Sequence, residues 1–216
     1  MLVDTFFQKG PTSFFEEEAR ARGYRLVAGL DEAGRGPLAG PVVGAAVVLP
    51  RRVTIPHLDD SKQVSLSQRE ELFDQVITQA VAWGIGQASE QEIDRYNILE
   101  ATRLAWSRAV HALHLVPDFL VIDGTNVSRI PIPQRTIIKG DQLSLSIAAA
   151  SILAKVQRDR FMDDYHQQYP WYNFHIHKGY PTPEHLTLLD KYGPCVGHRR
   201  SFRPVRDREL GLGGDR

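Results

Sequence analysis

Only one cysteine, Cys195, occurs in 216 residues. An internal disulfide and a thiolate metal cluster are therefore excluded, and a reducing, cytoplasmic setting is expected. Neither charge is in excess: 26 Lys+Arg stand against 26 Asp+Glu, a formal net charge of zero. No whole-protein field exists to collect nucleic acid, so any polyanion site must be a local patch. No window approaches the ~20 apolar residues of a membrane span. The opening MLVDTFFQKGPTSFFEEEARARG lacks the continuous apolar stretch of a secretion signal. Internal repeats and low-complexity tracts are also missing. The glycines of GRGPLAG (34–40) fall short of a dinucleotide fingerprint: the third comes one residue late, and Pro37 interrupts the helix start. No Gly-Lys-Ser/Thr follows to build a phosphate loop, which argues against a nucleotide switch.

What is present is an ordinary globular composition, 42% hydrophobic and 24% charged, on a chain long enough for one large core. Residues 1–23 read as a lead-in with a short helix ending at Gly23. YRLVAGL (24–30) and PVVGAAVVLP (41–50) read as a hairpin-like strand pair. A helix is expected from Ser65, with Leu72, Val76 and Ile77 at helical spacing. A third strand over 81–89 and one or two helices over 90–115 follow, ended by Pro117. DFLVID (118–123) reads as a buried strand paired in parallel, and RTIIK (135–139) as a shorter one. A long helix is expected over 140–169, with Asp141 as its N-cap and small residues Ala148 to Ser151 suited to close packing. Beyond Pro170 the histidine- and aromatic-rich composition predicts a helical appendage. The expected division is 1–23, a main α/β domain over 24–169, and a C-terminal helical subdomain and tail over 170–216.

The chemistry lies in the acids. Asp31 and Glu32 follow an apolar strand, and Asp123 closes another. In open α/β sheets, sites form outside the carboxyl ends of parallel strands, which would bring Asp31 and Asp123 together. Taken singly, each acid suits a turn or a cap; grouped, they repel one another unless cations intervene. Hard oxygen donors call for Mg2+ or Mn2+ rather than zinc. Two such ions ~3.5–4 Å apart can clamp the attacking and leaving oxygens of a phosphoryl transfer. Gly34 and Gly36 allow close backbone approach, Arg35 is a fork donor, and backbone groups there can reach a 2′-hydroxyl.

The stretch AGLDEAGRGPLAGPVVGAAVV resembles the opening motif of type 2 ribonucleases H, the bacterial ribonuclease HII family. The likeness continues in DDSKQVS, YNILEAT, VIDG, KGDQLSLSIAAASILAKVQRD, HKGYPTPEH and HRRSF, in order, over residues 25–205. The resemblance implies a ribonuclease H-like fold: a five-stranded mixed sheet flanked by helices, with a C-terminal helical subdomain. It implies that Asp31, Glu32, Asp123 and Asp141 are the catalytic, metal-binding acids for two divalent ions. It makes Gly34, Arg35 and Gly36 a ribonucleotide-sensing loop, Tyr180 the ring that stacks on the neighbouring sugar, and Lys62 a phosphate contact. Lys178 either supports Tyr180 or reaches phosphate. The implied reaction cuts 5′ of a ribonucleotide in RNA/DNA hybrids or duplex DNA, leaving a 3′-hydroxyl and a 5′-phosphate, and serves ribonucleotide removal from DNA. A monomer acting on nucleic acid, away from membranes, is expected.

Other features read as structural. His175, His177, His185 and His198 fit no compact zinc spacing. Arg199, Arg200, Arg203, Arg206 and Arg208 read first as a solvated charged face, with duplex-backbone contact as the alternative. Tyr165, Tyr169, Trp171 and Tyr172 suit the core of the appendage. Two rivals stay open: a metal-dependent DNA nuclease of the same superfamily, and a non-catalytic nucleic-acid-binding module.

Overall fold

A computed structural model describes residues 10–58 and 65–211. The apolar runs form a five-stranded sheet in the order β3-β2-β1-β4-β5. β1 (Val27–Ala33), β2 (Val42–Val48) and β3 (Ala82–Ala88) are antiparallel neighbours, so the expected hairpin is present. β4 (Phe119–Asp123) runs parallel to β1, and β5 (Gln134–Ile137) parallel to β4. The sheet is thus mixed, with helices on both faces, as expected.

One face is covered by the long helix α5 (Leu145–Gln168), together with α2 (Leu66–Gln79). Ala148, Ala149 and Ala150 are fully buried against this face. The approach is so close that a Cβ on Gly29 of β1 would lie 2.2 Å from the Ser146 carbonyl carbon. The small residues of α5 and the glycine of β1 are two halves of one contact. The other face carries α4 (Ile98–His111), whose Trp106 packs with Leu30, Leu120 and Ile122. The helical run over 90–115 is two helices: α3 (Glu90–Tyr96) ends where Asn97 takes a positive φ and caps α4. α1 (Phe14–Ala21) lies before β1.

Two expectations are corrected. β1 does not stop at Leu30 but runs through Asp31 and Glu32, because the ladder to β2 continues through Glu32↔Gly44 and Ala33↔Val43. Asp141 is not a helix cap. It lies in a 3-10 turn, Gly140–Gln142, and α5 begins at Leu145 after Ser144, whose hydroxyl accepts the Ile147 N–H. Serine satisfies an orphan helix N–H as well as aspartate does, and the turn places the cap three residues later.

After Pro170 come α6 (Phe174–His177), α7 (Pro183–Tyr192) and α8 (Arg203–Glu209). Tyr172 and Phe174 are buried with Met162 of α5 and Ala39. Leu38 is buried with Leu189 and Val205. The segment between β1 and β2 is thereby plugged into these C-terminal helices. Trp171, by contrast, stays exposed.

Candidate active site

Strand alternation sends Asp31 and Glu32 to opposite faces of β1. Asp31 lies on the α5 side, where Ser151 hydrogen-bonds its carboxylate, and its Oδ1 accepts the Glu32 N–H at 2.7 Å. Glu32 lies on the α4 side, towards Trp106, and its Oε1 accepts from Arg35 Nη1 at 3.2 Å. The parallel register pairs Leu30 with Ile122, so Asp31 and Asp123 stand one step further at the carboxyl ends of adjacent strands. Asp123 Oδ1 accepts the Gly140 N–H at 2.6 Å, which docks the turn carrying the buried Asp141 beside it.

The acids feel one another. Burial, then the charges of Glu32 and Asp123, push the Asp31 carboxyl well above the usual carboxylate range; the Ser151 and Glu32 hydrogen bonds offset part of this. Burial also raises Glu32, against the pull of Arg35 and with a further push from Asp123. Asp123 is raised by burial and by the charge of Asp141, while the Gly140 N–H works the other way. Asp31, Glu32, Asp123 and Asp141 are therefore electrostatically linked, from two strand ends and one turn.

The residues suit a hard divalent cation. Every donor is a carboxylate oxygen, the type Mg2+ and Mn2+ take. Glu32 Oε2 is buried and completes no hydrogen bond, and the Trp106 indole N–H, though close enough to favour the ionised carboxylate, completes none either. A buried acceptor without a donor is costly, and a cation satisfies it. Among the described residues, no three carboxylate, imidazole or thiol groups already stand together as a metal cage.

Beside the acids opens a cavity of about 390 Å³. Glu32, Gly34, Arg35, Gly36 and Tyr180 line it; Asp31, Asp123 and Asp141 are not among its walls. Tyr180 is half exposed, and a Cβ on Gly36 would lie 3.7 Å from its ring. Lys178 is placed differently: its ammonium pairs with Asp163 and its side chain runs along α5. Lys62 lies outside the described residues.

The wall also holds Arg69, which the sequence did not single out, Ser151, which it marked only as a small residue for close packing, and Lys155 and Arg158, which it did not single out. The last three are spaced i, i+4 and i+7, one stripe of α5, so their shared helix face was the available signal. Lys155 and Arg69 flank Asp159, at 2.6 and 3.6 Å. The C-terminal basic run also needs correction. Arg200, Arg203 and Arg206 are exposed as a solvated face requires, but Arg199 is fully buried, because loop carbonyls take up its guanidinium. Cys195 is half-buried, with its thiol pushed up to about 11 by burial.

Comparison with known proteins places this architecture. The crystal structure of the ribonuclease H2 from Pyrococcus horikoshii OT3 matches with a TM-score of 0.74 and 27% identity, covering 88% of this chain and 100% of that one. A structure of Bst ribonuclease HIII in complex with Mn2+ matches at a TM-score of 0.67, covering 90% of this chain and 72% of that one; at 16% identity it is a likeness of fold alone. The chain is thus an enzyme of the ribonuclease H class. The family model for Ribonuclease HII matches residues 28–205. A ribonuclease HII from Geotalea uraniireducens is 52% identical over 193 residues, 89% of each chain. The chain belongs to the ribonuclease HII family.

Proposed function

We propose that this chain hydrolyses the phosphodiester 5′ of a ribonucleotide, both in RNA/DNA hybrids and at single ribonucleotides within duplex DNA, leaving a 3′-hydroxyl and a 5′-phosphate. The observation that carries the reading is a juxtaposition. Acids from β1 and β4 with raised pKa values stand beside a cavity walled by Gly34, Arg35, Gly36 and Tyr180. One side can hold cations at a phosphate while the other meets a sugar.

Asp31, Glu32, Asp123 and Asp141 would hold two Mg2+ or Mn2+ ions, which when bound neutralise phosphate charge and lower the pKa of water. The chain's own residues do the positioning. The Gly34–Gly36 backbone on the cavity wall would hydrogen-bond the 2′-hydroxyl, the group that separates ribose from deoxyribose. The Tyr180 ring, across from Gly36, offers a face on which the adjoining sugar can rest. Arg69 and Lys155 on the cavity wall supply positive charge for flanking phosphates, as a chain of zero net charge requires. Lys62 is assigned a phosphate contact and Lys178 a supporting place beside Tyr180. We assign the enzyme to the cytoplasm, as a monomer engaged in removing ribonucleotides from DNA.

The test is cleavage of two duplexes of one sequence, one all-DNA and one with a single ribonucleotide, in Mg2+ or Mn2+. Cutting confined to the 5′ side of the ribonucleotide is expected. Equal cutting of both would refute the sugar-recognition half of the reading.

A further inference from the structure

Arg199 is fully buried, yet its guanidinium is spent on backbone carbonyls. Nη2 donates to Gly34 O at 2.6 Å and Pro41 O at 3.2 Å, Nη1 to Arg35 O at 3.1 Å, and Nε to Gly40 O at 2.9 Å. One side chain thus spans both ends of the loop that carries Arg35 and Gly36. A second buried guanidinium, Arg158, donates to Ala39 O and Pro41 O of the same loop, and to Lys178 O. Burying two like charges side by side is expensive. A plain hairpin linker does not call for it; a loop whose carbonyls must stay fixed does.

The residue before Arg199 holds the opposite wall. The Cys195 N–H donates to His198 Nδ1 at 3.0 Å, so His198 carries its proton on Nε2. His198 Nε2 then donates to His185 Nε2 at 3.1 Å, and His185 Nδ1 donates to Tyr180 O at 2.9 Å. The backbone groups at the two ends allow only this direction of donation. Burial pushes His185 down to about 4 and His198 down to about 3, so both rings stay neutral near pH 7 and the order persists. His177 stacks on His185 at 4.3 Å and accepts the Gly179 N–H, which fastens the turn leading to Tyr180.

We infer that Arg199 and His198 are positioning residues for sugar recognition: Arg199 fixes the glycine–arginine–glycine loop, and His198, through His185, fixes Tyr180. Adjacent in the chain, they set the gap between Gly36 and the Tyr180 ring. The inference rests on the sugar-reading role proposed above for those two walls.

The experiment pairs kinetics with hydrogen exchange on the full chain. Arg199→Lys keeps a charge but cannot span four carbonyls; His198→Phe keeps an aromatic ring but breaks the relay; His198→Gln restores a polar partner. For Arg199→Lys and His198→Phe, kcat on the single-ribonucleotide duplex is expected to fall about ten- to a hundredfold. KM should stay within about twofold of wild type, and His198→Gln should recover part of the loss. Amide exchange should quicken over 34–41 in Arg199→Lys and around Tyr180 in His198→Phe. If Arg199→Lys fails to fold, His198→Phe decides. Folded variants with wild-type kcat, or with unchanged exchange in those segments, overturn the inference. A wild-type enzyme that cuts all-DNA duplex equally well sinks the functional reading instead, and the exchange data still decide whether the two residues hold the walls.

Discussion

Arg35 Nη1 lies 3.2 Å from Glu32 Oε1, three residues back along the chain. The side chain assigned to the sugar therefore rests on a side chain assigned to the metal. The proposed sugar loop and the proposed metal acids are joined by an ion pair that a bound cation would compete with.

Removing that pair should have a small, signed effect. A partly exposed ion pair is worth roughly 0.2–1 kcal/mol. Arg35→Ala should therefore leave Mn2+ affinity in the absence of nucleic acid unchanged or raised by up to about fivefold, read by calorimetric titration. A weakened affinity would mean that Arg35 helps to build the metal site.

The crowded acids predict a stability change of unusual sign. The folded Asp31 pKa is raised, so the native state binds more protons than the unfolded chain above about pH 4. Its stability contribution is full below that pH and is lost as pH rises through the folded value. In metal-free buffer at pH 7, Asp31→Asn should melt roughly 2–6 °C above wild type. The difference should close towards pH 4. A lower melting temperature at pH 7 would show that protein cations already neutralise the acids.

Two glycines should separate packing from function. Gly29→Ala drives a Cβ to 2.2 Å from α5 backbone, which cannot yield without moving the helix. A loss of about 3 kcal/mol or more is expected in urea unfolding. At Gly36 the nearest atom to a new Cβ is the Tyr180 ring at 3.7 Å, so Gly36→Ala should leave the unfolding midpoint almost unchanged. Cutting at the ribonucleotide should nevertheless fall, because the methyl group takes up room between loop and ring.

The lead-in helix should matter to stability. Glu16 Oε1 accepts from Ser144 Oγ at 2.6 Å and from the Ser146 N–H at 3.0 Å, tying α1 to the start of α5. Glu16→Ala leaves those buried donors unmet and should cost about 1–3 kcal/mol. Glu16→Gln keeps an acceptor and should cost less.

Much of this was readable beforehand, for physical reasons. Apolar runs marked β1, β2 and β4, alternation marked β3, and RTIIK gave a shorter fifth strand; an acid closing each of two parallel strands pointed to Asp31 and Asp123 as neighbours. Asp141 was misread because aspartate after glycine suits a helix cap, and local preference cannot show that Ser144 takes that place. Arg199 was misread because a run of arginines is normally solvated; its burial depends on carbonyls some 160 residues earlier, at Gly34 to Pro41. Glu16 sits in a charged helix whose buried side only the fold reveals.

The most direct measurement is single-turnover cleavage of a single-ribonucleotide duplex, with saturating Mn2+, by Asp31→Asn, Glu32→Gln, Asp123→Asn and Asp141→Asn. Each is expected to lose about 10²-fold or more in rate while still binding the duplex. Near-wild-type cutting by any one of the four would remove that carboxylate from the site, and near-wild-type cutting by Asp31→Asn would contradict the account as a whole.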